Sequence, residues 1–275
     1  MAITAQDVNK LRQTTGAGMM DCKNALVEAN GDFEVAIDIL RKKGQKVANK
    51  RADRDTAEGA VIAKTNENST KGVVVMLNCE TDFVAKNDEY VRFTTAIADA
   101  AIDSNVTTID DLLNVTIGGL PISEKINEMV GKIGEKLQIG AFHVIESAQV
   151  FAYIHPGNRL ASLIGISKNS SNYEEMGKNL TMQIAAMAPV SIDESDINPE
   201  ILVKEKEIAM DLARNEGKPE NMLEKIAMGR VSKFIKESTL LNQEFIKDGK
   251  MTVAQYISSI DKDINVTSIN RVAVG

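Results

Sequence analysis

EGAVIAK at 58–64 has a counterpart in ESAQVFA at 146–152, and KGVVVML at 71–77 has one in RLASLIG at 159–165; each pair lies 88 residues apart (58 to 146, 71 to 159). FTTAIADAA at 93–101 is echoed by LTMQIAAMA at 180–188, with small and apolar residues at helical spacing. A chain that repeats strand, strand and helix at a fixed interval is constrained to build two related units. Each sheet has an apolar face that a helix must cover, so the expected fold class is α+β, with a core of two strand-strand-helix subdomains.

The first subdomain is expected over 59–140. AVIAKT (60–65) pairs with GVVVMLNC (72–79) as a hairpin. A helix follows at about 88–102, with Val91, Thr94, Ile97, Ala98 and Ala101 on one face, and another is predicted at 122–139. The second subdomain takes 141–197 and 237–275, with TLLNQEFI (239–246) and TSINRVAV (267–274) as its final strands. It is interrupted at 198–236 by an inserted antiparallel helical hairpin. Asn198 caps the first helix and Pro199 takes the first helical position, where its missing N–H costs nothing. Ile201, Leu202, Ile208, Ala209 and Leu212 face the return helix across the EGKP turn (216–219). Such a seam closes within the pair or meets a second copy; a homodimer through it is an alternative, not the expectation.

Residues 1–45 read as a three-helix N-terminal module. Thr4 and Asp7 have capping-box spacing, with Ile3 and Val8 placed as a hydrophobic staple. Met19, Cys22, Ala25, Leu26 and Ala29 mark the second helix, and Val35, Ala36, Ile39 and Leu40 the third, with Gly44 as its C-cap. One of Met19 and Met20 should face the core, because adjacent helical residues point about 100° apart. So thin a core suits a docking unit. Residues 46–58 form a polar linker in which Lys50, Arg51 and Arg54 alternate with Asp53 and Asp55, a solvated face rather than an RNA patch.

Composition removes several classes of function. A net charge of −7 argues against a general nucleic-acid binder, which needs a concentrated positive field. No window has the apolar length of a membrane span, and the N-terminus lacks a signal core, so no membrane partner is expected. Cys22 and Cys79 form no CxxC pair and read as free thiols in a reducing cytosol. Two histidines and two cysteines do not support a zinc site. No GxxxxGK[ST], GxGxxG or GxSxG motif is present. Cys79 with His143 or His155 could be drawn as nucleophile and base, but Cys79 ends a buried-looking strand, where thiols pack and stay inert. Neither an enzyme nor a cofactor is expected. His155, in YIHPGNRL, lies in a turn, solvated by default or else a contact residue.

One loop resists this bland reading. In NCETDFVAKN (78–87), Asp82 and Phe83 lie between an apolar strand and a helix. An aromatic ring in a surface connection is either folded back into the core or offered to a partner.

TDFVAKN (81–87), LRQTTGAGMMDCKNALVEANGDFEVAIDILRKKG (11–44) and KRADRDTAEG (50–59) closely resemble the bacterial elongation factor Ts family, as do the GKP and YIHPGNRL turns. The resemblance covers nearly the whole chain. It implies a cytoplasmic guanine-nucleotide exchange factor in translation elongation, with elongation factor Tu as its partner. It implies an N-terminal module similar to ubiquitin-associated domains and a protruding helical hairpin. In the family, the TDFVA[KR]N loop drives its Asp and Phe between helices of the GTPase domain near the bound magnesium, which assigns Thr81, Asp82, Phe83, Val84 and Ala85 to partner binding. Arg12, Met19 and Met20 match residues that dock on the same domain, and His155 matches a turn histidine near the nucleotide pocket. Two departures stand out. The turn after His155 reads Pro156-Gly157-Asn158 where the family is glycine-rich, and the sequence ends at NRVAVG where some members add a helical segment that reaches the GTPase. The runner-up is an adaptor, like ubiquitin-associated domains, that binds peptides or chaperone clients; it explains residues 1–44 and leaves TDFVAKN unexplained.

Overall fold

The computed structural model describes residues 3–275, so Met1 and Ala2 of the expected N-terminal module lie outside it. Helices α1 (Ala5–Thr15), α2 (Met19–Glu28) and α3 (Phe33–Lys50) come first. Thr4 caps α1 reciprocally: its hydroxyl accepts from the Asp7 N–H at 3.2 Å, and the Asp7 carboxylate accepts the Thr4 N–H at 3.0 Å. Val8, Leu11, Cys22, Leu26 and Ala36 close a small core of their own.

The third helix does not stop at Gly44, as its composition suggested, but continues to Lys50, so the polar stretch 46–58 begins as helix. Gly44 is needed for a crossing instead. A side chain there would set its Cβ 2.6 Å from the Asn127 carbonyl oxygen, and one at Gly131 would stand 2.8 Å from the Gly44 Cα. Only two glycines let these helix backbones touch.

Next in the chain are β1 (Glu58–Thr65), β2 (Lys71–Cys79), α4 (Asp82–Ala85), α5 (Asp88–Ile102), α6 (Ile109–Asn114), the two-residue strands β3 (Thr116–Ile117) and β4 (Leu120–Pro121), α7 (Ile122–Ile133) and β5 (Gln138–Glu146). Strands β1, β2 and β5 form an antiparallel sheet in that order, with Glu58 opposite Cys79 and Asn78 opposite Gln138. The second half repeats the plan. Strands β6 (Gln149–Ile154) and β7 (Leu160–Ile166) precede α8 (Glu174–Met187), then α9 (Pro199–Asn215) and α10 (Glu220–Ser238), β8 (Glu244–Phe245) and β9 (Asp248–Thr252), α11 (Val253–Ile260) and β10 (Val266–Ala273). Its sheet runs β6-β7-β10, again first, second and last strand.

The repeat is longer than the sequence alone revealed. A short hairpin leads into a helix in both halves, with Ile122 and Ile126 buried in α7 and Val253 and Ile257 in α11. The two sheets stack face to face. On β2, Val73, Val75, Leu77 and Cys79 face the helices while Val74 faces the other sheet. On β7, Ile164 and Ile166 face helices while Ala161 and Leu163 meet the first sheet. This period-two division turns each strand's continuous apolar run into two separate cores.

Two expected elements are shorter than their periodicity suggested. α7 ends at Ile133 rather than 139, because Gly134 takes a left-handed conformation (φ 81°) that closes it. TLLNQEFI is not a long strand: Thr239 makes a single bridge to Ser191, Leu240–Asn242 make a 3-10 turn, and Glu244–Phe245 form a two-residue strand. The helical hairpin is present, but its seam is built of Ala209, Ala213, Leu223 and Ala227. The small alanines bring the helices close, and Leu212, expected in the seam, is left 50% exposed.

Candidate functional site

Strand β2 ends at Cys79 and the chain turns through Glu80 into the four-residue helix α4. Every residue of TDFVAKN except Phe83 has a structural assignment. Thr81 precedes the helix in an extended conformation, and its hydroxyl donates to Glu135 Oε1 at 2.6 Å. The other oxygen of Glu135 accepts the Glu80 and Thr81 N–H groups at 3.1 and 3.0 Å. Val84 and Ala85 turn inward onto the first core. Ala85 is buried and Val84 partly so, because this face of α4 has the sheet beneath it. Asn87 caps α5 by accepting from the Glu89 N–H at 2.8 Å. In α5, buried Tyr90 donates its hydroxyl to the Leu77 carbonyl at 2.5 Å, pinning the helix to β2.

Phe83 is left over. It is 84% exposed, on a helix whose opposite face is anchored. Asp82 beside it accepts from Lys86 at 2.6 Å, one helical turn on. That hydrogen bond holds the Asp82 carboxyl below the usual carboxylate range, so it is ionised at neutral pH. A charged carboxylate and a bare ring thus stand side by side.

The loop is braced from behind. Arg51, one residue beyond α3, donates to both oxygens of Glu80 at 2.8 and 2.9 Å, and Glu80 accepts the Lys136 N–H at 2.6 Å. That backbone donor, with Arg51, lowers the Glu80 pKa. Sequence reasoning missed this brace and took Arg51 for a solvated charge. Its members become neighbours only once β2 pairs with β5, which sets Gln138 against Asn78 and so brings 135–136 beside 80–81.

His155 lies in the β6–β7 turn, exposed, hydrogen-bonded through Nδ1 to the Tyr153 hydroxyl at 2.9 Å. Asn158 adopts φ 56°, a left-handed position that Asn tolerates better than most residues, so the glycine-poor turn closes normally. The Asn158 carbonyl accepts the Val61 N–H at 2.6 Å, and Arg159 pairs with Glu58. Glu58 lies opposite Cys79, so the turn and α4 share one end of the first sheet. Arg12, Met19 and Met20 are all exposed, the methionines at 49% and 63%. The expectation that one methionine would be buried fails, because Cys22, Ala25 and Leu26 already fill the face of α2 that meets its neighbours. The α1–α2 corner reaches the same region of the core: Gly16 packs against Lys132, which pairs with Glu89 in the first turn of α5.

Among the described residues, no group of three or more His, Cys, Asp or Glu side chains could hold a metal ion, and no helix is long and apolar enough to cross a membrane. Burial raises the Cys79 thiol to about 11, well away from a reactive thiolate. In the native protein at pH 8, alkylation of Cys79 should therefore be slow and should become rapid on unfolding. Fast labelling of the folded chain, read by peptide mass, would reopen a thiol chemistry.

Comparison with known proteins decides the family. The family model described as Elongation factor TS matches residues 80–275, well over half of the chain. The chain belongs to the elongation factor Ts family. Elongation factor Ts of Christiangramia forsetii is 52% identical over 273 residues, covering 99% of both chains. That of Flavobacterium psychrophilum is 49% identical over 273 residues with the same coverage. That of Chloroherpeton thalassium is 43% identical over 272 residues, covering 96% of this chain and 94% of the relative. The matched region of the elongation factor Ts model opens at Glu80, so it takes in α4, Phe83 and the bracing Glu135.

Proposed function

We propose that this member of the elongation factor Ts family binds elongation factor Tu and accelerates release of its GDP, with Asp82 and Phe83 as the inserted wedge. The observation that carries the reading is Phe83: an aromatic ring 84% exposed on an anchored helix, beside an ionised carboxylate. A nucleotide in a GTPase is held by phosphate contacts and magnesium. A wedge that gains its own contacts only as those weaken creates negative coupling between two ligands of one protein. The coupling is reciprocal: the exchange factor loosens nucleotide, and nucleotide loosens the exchange factor. Arg12, Met19 and Met20 supply docking affinity, and His155 approaches the nucleotide pocket from the same end of the sheet as α4. The partner is a protein; nothing in the reading calls on direct nucleic-acid contact. Release of labelled GDP from elongation factor Tu, with and without this protein, tests the function. Strong acceleration is expected, and an unchanged rate would contradict it.

The hairpin α9–α10 is not needed for exchange on the isolated GTPase. Its two ends leave the core side by side: the Val190 N–H donates to the Ser238 carbonyl at 2.8 Å and the Leu240 N–H to the Ser191 carbonyl at 3.0 Å. Replacing 198–236 by a short linker should therefore leave the second sheet intact and the exchange rate within about twofold, the range of neutral surface changes. A shortened protein that melts cooperatively yet fails to release GDP would move the exposed Leu212 to the binding surface.

A further inference from the structure

We infer that Glu135 is a positioning residue for nucleotide exchange: it sets the direction in which α4 presents Phe83. The inference rests on the proposed exchange function and deepens it. A helix of four residues cannot hold its own orientation, since isolated helices need several turns to be even marginal. Nor does Thr81 cap it, for its side chain makes no capping bond to α4. Orientation must come from outside. Glu135 supplies it by accepting the Glu80 and Thr81 N–H groups with one oxygen and the Thr81 hydroxyl with the other, at 3.1, 3.0 and 2.6 Å. These bonds grip the backbone entering α4.

Glu135 is itself held in place. It follows Gly134, whose positive φ turns the chain sharply off α7. Its neighbour Lys136 bonds Glu80 through its N–H, and the Ala52 and Arg54 carbonyls through Nζ at 2.7 and 3.0 Å. Glu80 in turn is clamped by Arg51 at the end of α3. The short segment 134–136 therefore joins the loop to the helix that begins in the N-terminal module. A group placed about 1 Å off its productive position can lose a hundredfold in rate, so a modest swing of α4 has a measurable cost.

A merely stabilising contact would act differently from a positioning one, and Glu135→Ala, Glu135→Gln and Phe83→Ala separate the two. Gln can keep every bond: its carbonyl oxygen accepts both N–H groups and its amide donates to the Thr81 hydroxyl. GDP release from elongation factor Tu is measured across factor concentrations, with melting temperatures alongside. For Glu135→Ala we expect a maximal rate lowered about tenfold, with a half-saturating concentration within about threefold of wild type. Glu135→Gln should restore the rate. A folded Glu135→Ala protein with the wild-type maximal rate overturns the inference, as does a Gln variant as slow as the Ala variant. Should Glu135→Ala not fold, Thr81→Val removes one of the three bonds and decides in its place; a wild-type maximal rate would then overturn the inference. Phe83→Ala distinguishes the two levels of failure. If it loses exchange while Glu135→Ala does not, positioning by Glu135 is wrong and the wedge stands. If Phe83→Ala keeps full exchange, the wedge itself is wrong.

Discussion

Phe83→Ala should slow stimulated GDP release at least tenfold and leave the melting temperature close to wild type. The two halves of this expectation have separate grounds. The ring is 84% exposed, so its truncation opens no cavity, and the 3–5 kcal/mol cost of deleting a buried Phe does not apply. Exposed substitutions of this kind stay within about 0.5 kcal/mol. The rate argument is arithmetic. A thousandfold faster release means a barrier lower by about 4 kcal/mol. Burying one Phe against a partner contributes roughly 1.5–3 kcal/mol, which corresponds to a factor of ten to more than a hundred. Phe83 can therefore carry much of the acceleration but not all of it. Stopped-flow release of labelled GDP, read with thermal melting, checks both halves. A stable variant with full activity would remove the wedge from the mechanism.

Met19→Ala with Met20→Ala should act on affinity instead. Both side chains are exposed at the start of α2, so the small core of the N-terminal module is untouched. Burial of a Met side chain in a complex contributes roughly 1.5–3 kcal/mol, and part of that is offset by ordering a flexible chain. The pair together should raise the half-saturating concentration at least tenfold, while the saturating rate stays near wild type. Adding Arg12→Ala should shift the concentration further in the same direction. A lowered ceiling would mean that the module also acts on the exchange step. The structure offers a path for such an effect, since α3 runs unbroken from the module to Arg51 and its clamp on Glu80. Titration of the factor against the release rate distinguishes a shifted midpoint from a lowered plateau.

Features set by local rules were legible in the sequence. Thr4, Asp32 and Asn198 cap the helices they precede, and the strand pairs follow the short apolar runs on either side of a turn. Features set by meetings between distant segments were not. Gly44 looked like a helix end because glycine closes helices, yet here it makes room for Gly131, 87 positions later (131 − 44). Arg51 looked solvated because its neighbours are charged, yet Glu80 claims it. Glu135 carried no sequence signal, since its role exists only after two strands pair. The motif around Phe83 was visible as an anomaly, an aromatic in a surface connection; its reading as a partner-binding loop comes only from resemblance. The structure adds the decisive geometric fact that the ring is not folded back.

The most direct measurement replaces Phe83 with a photoreactive phenylalanine analogue. It asks where the side chain goes in the complex with elongation factor Tu, and whether nucleotide pushes it out. The expected result is a crosslink to the nucleotide-binding domain, with a yield that falls steadily as GDP and magnesium are added, because the two ligands compete through one coupling. A crosslink to another domain, or a yield indifferent to GDP, would contradict the account.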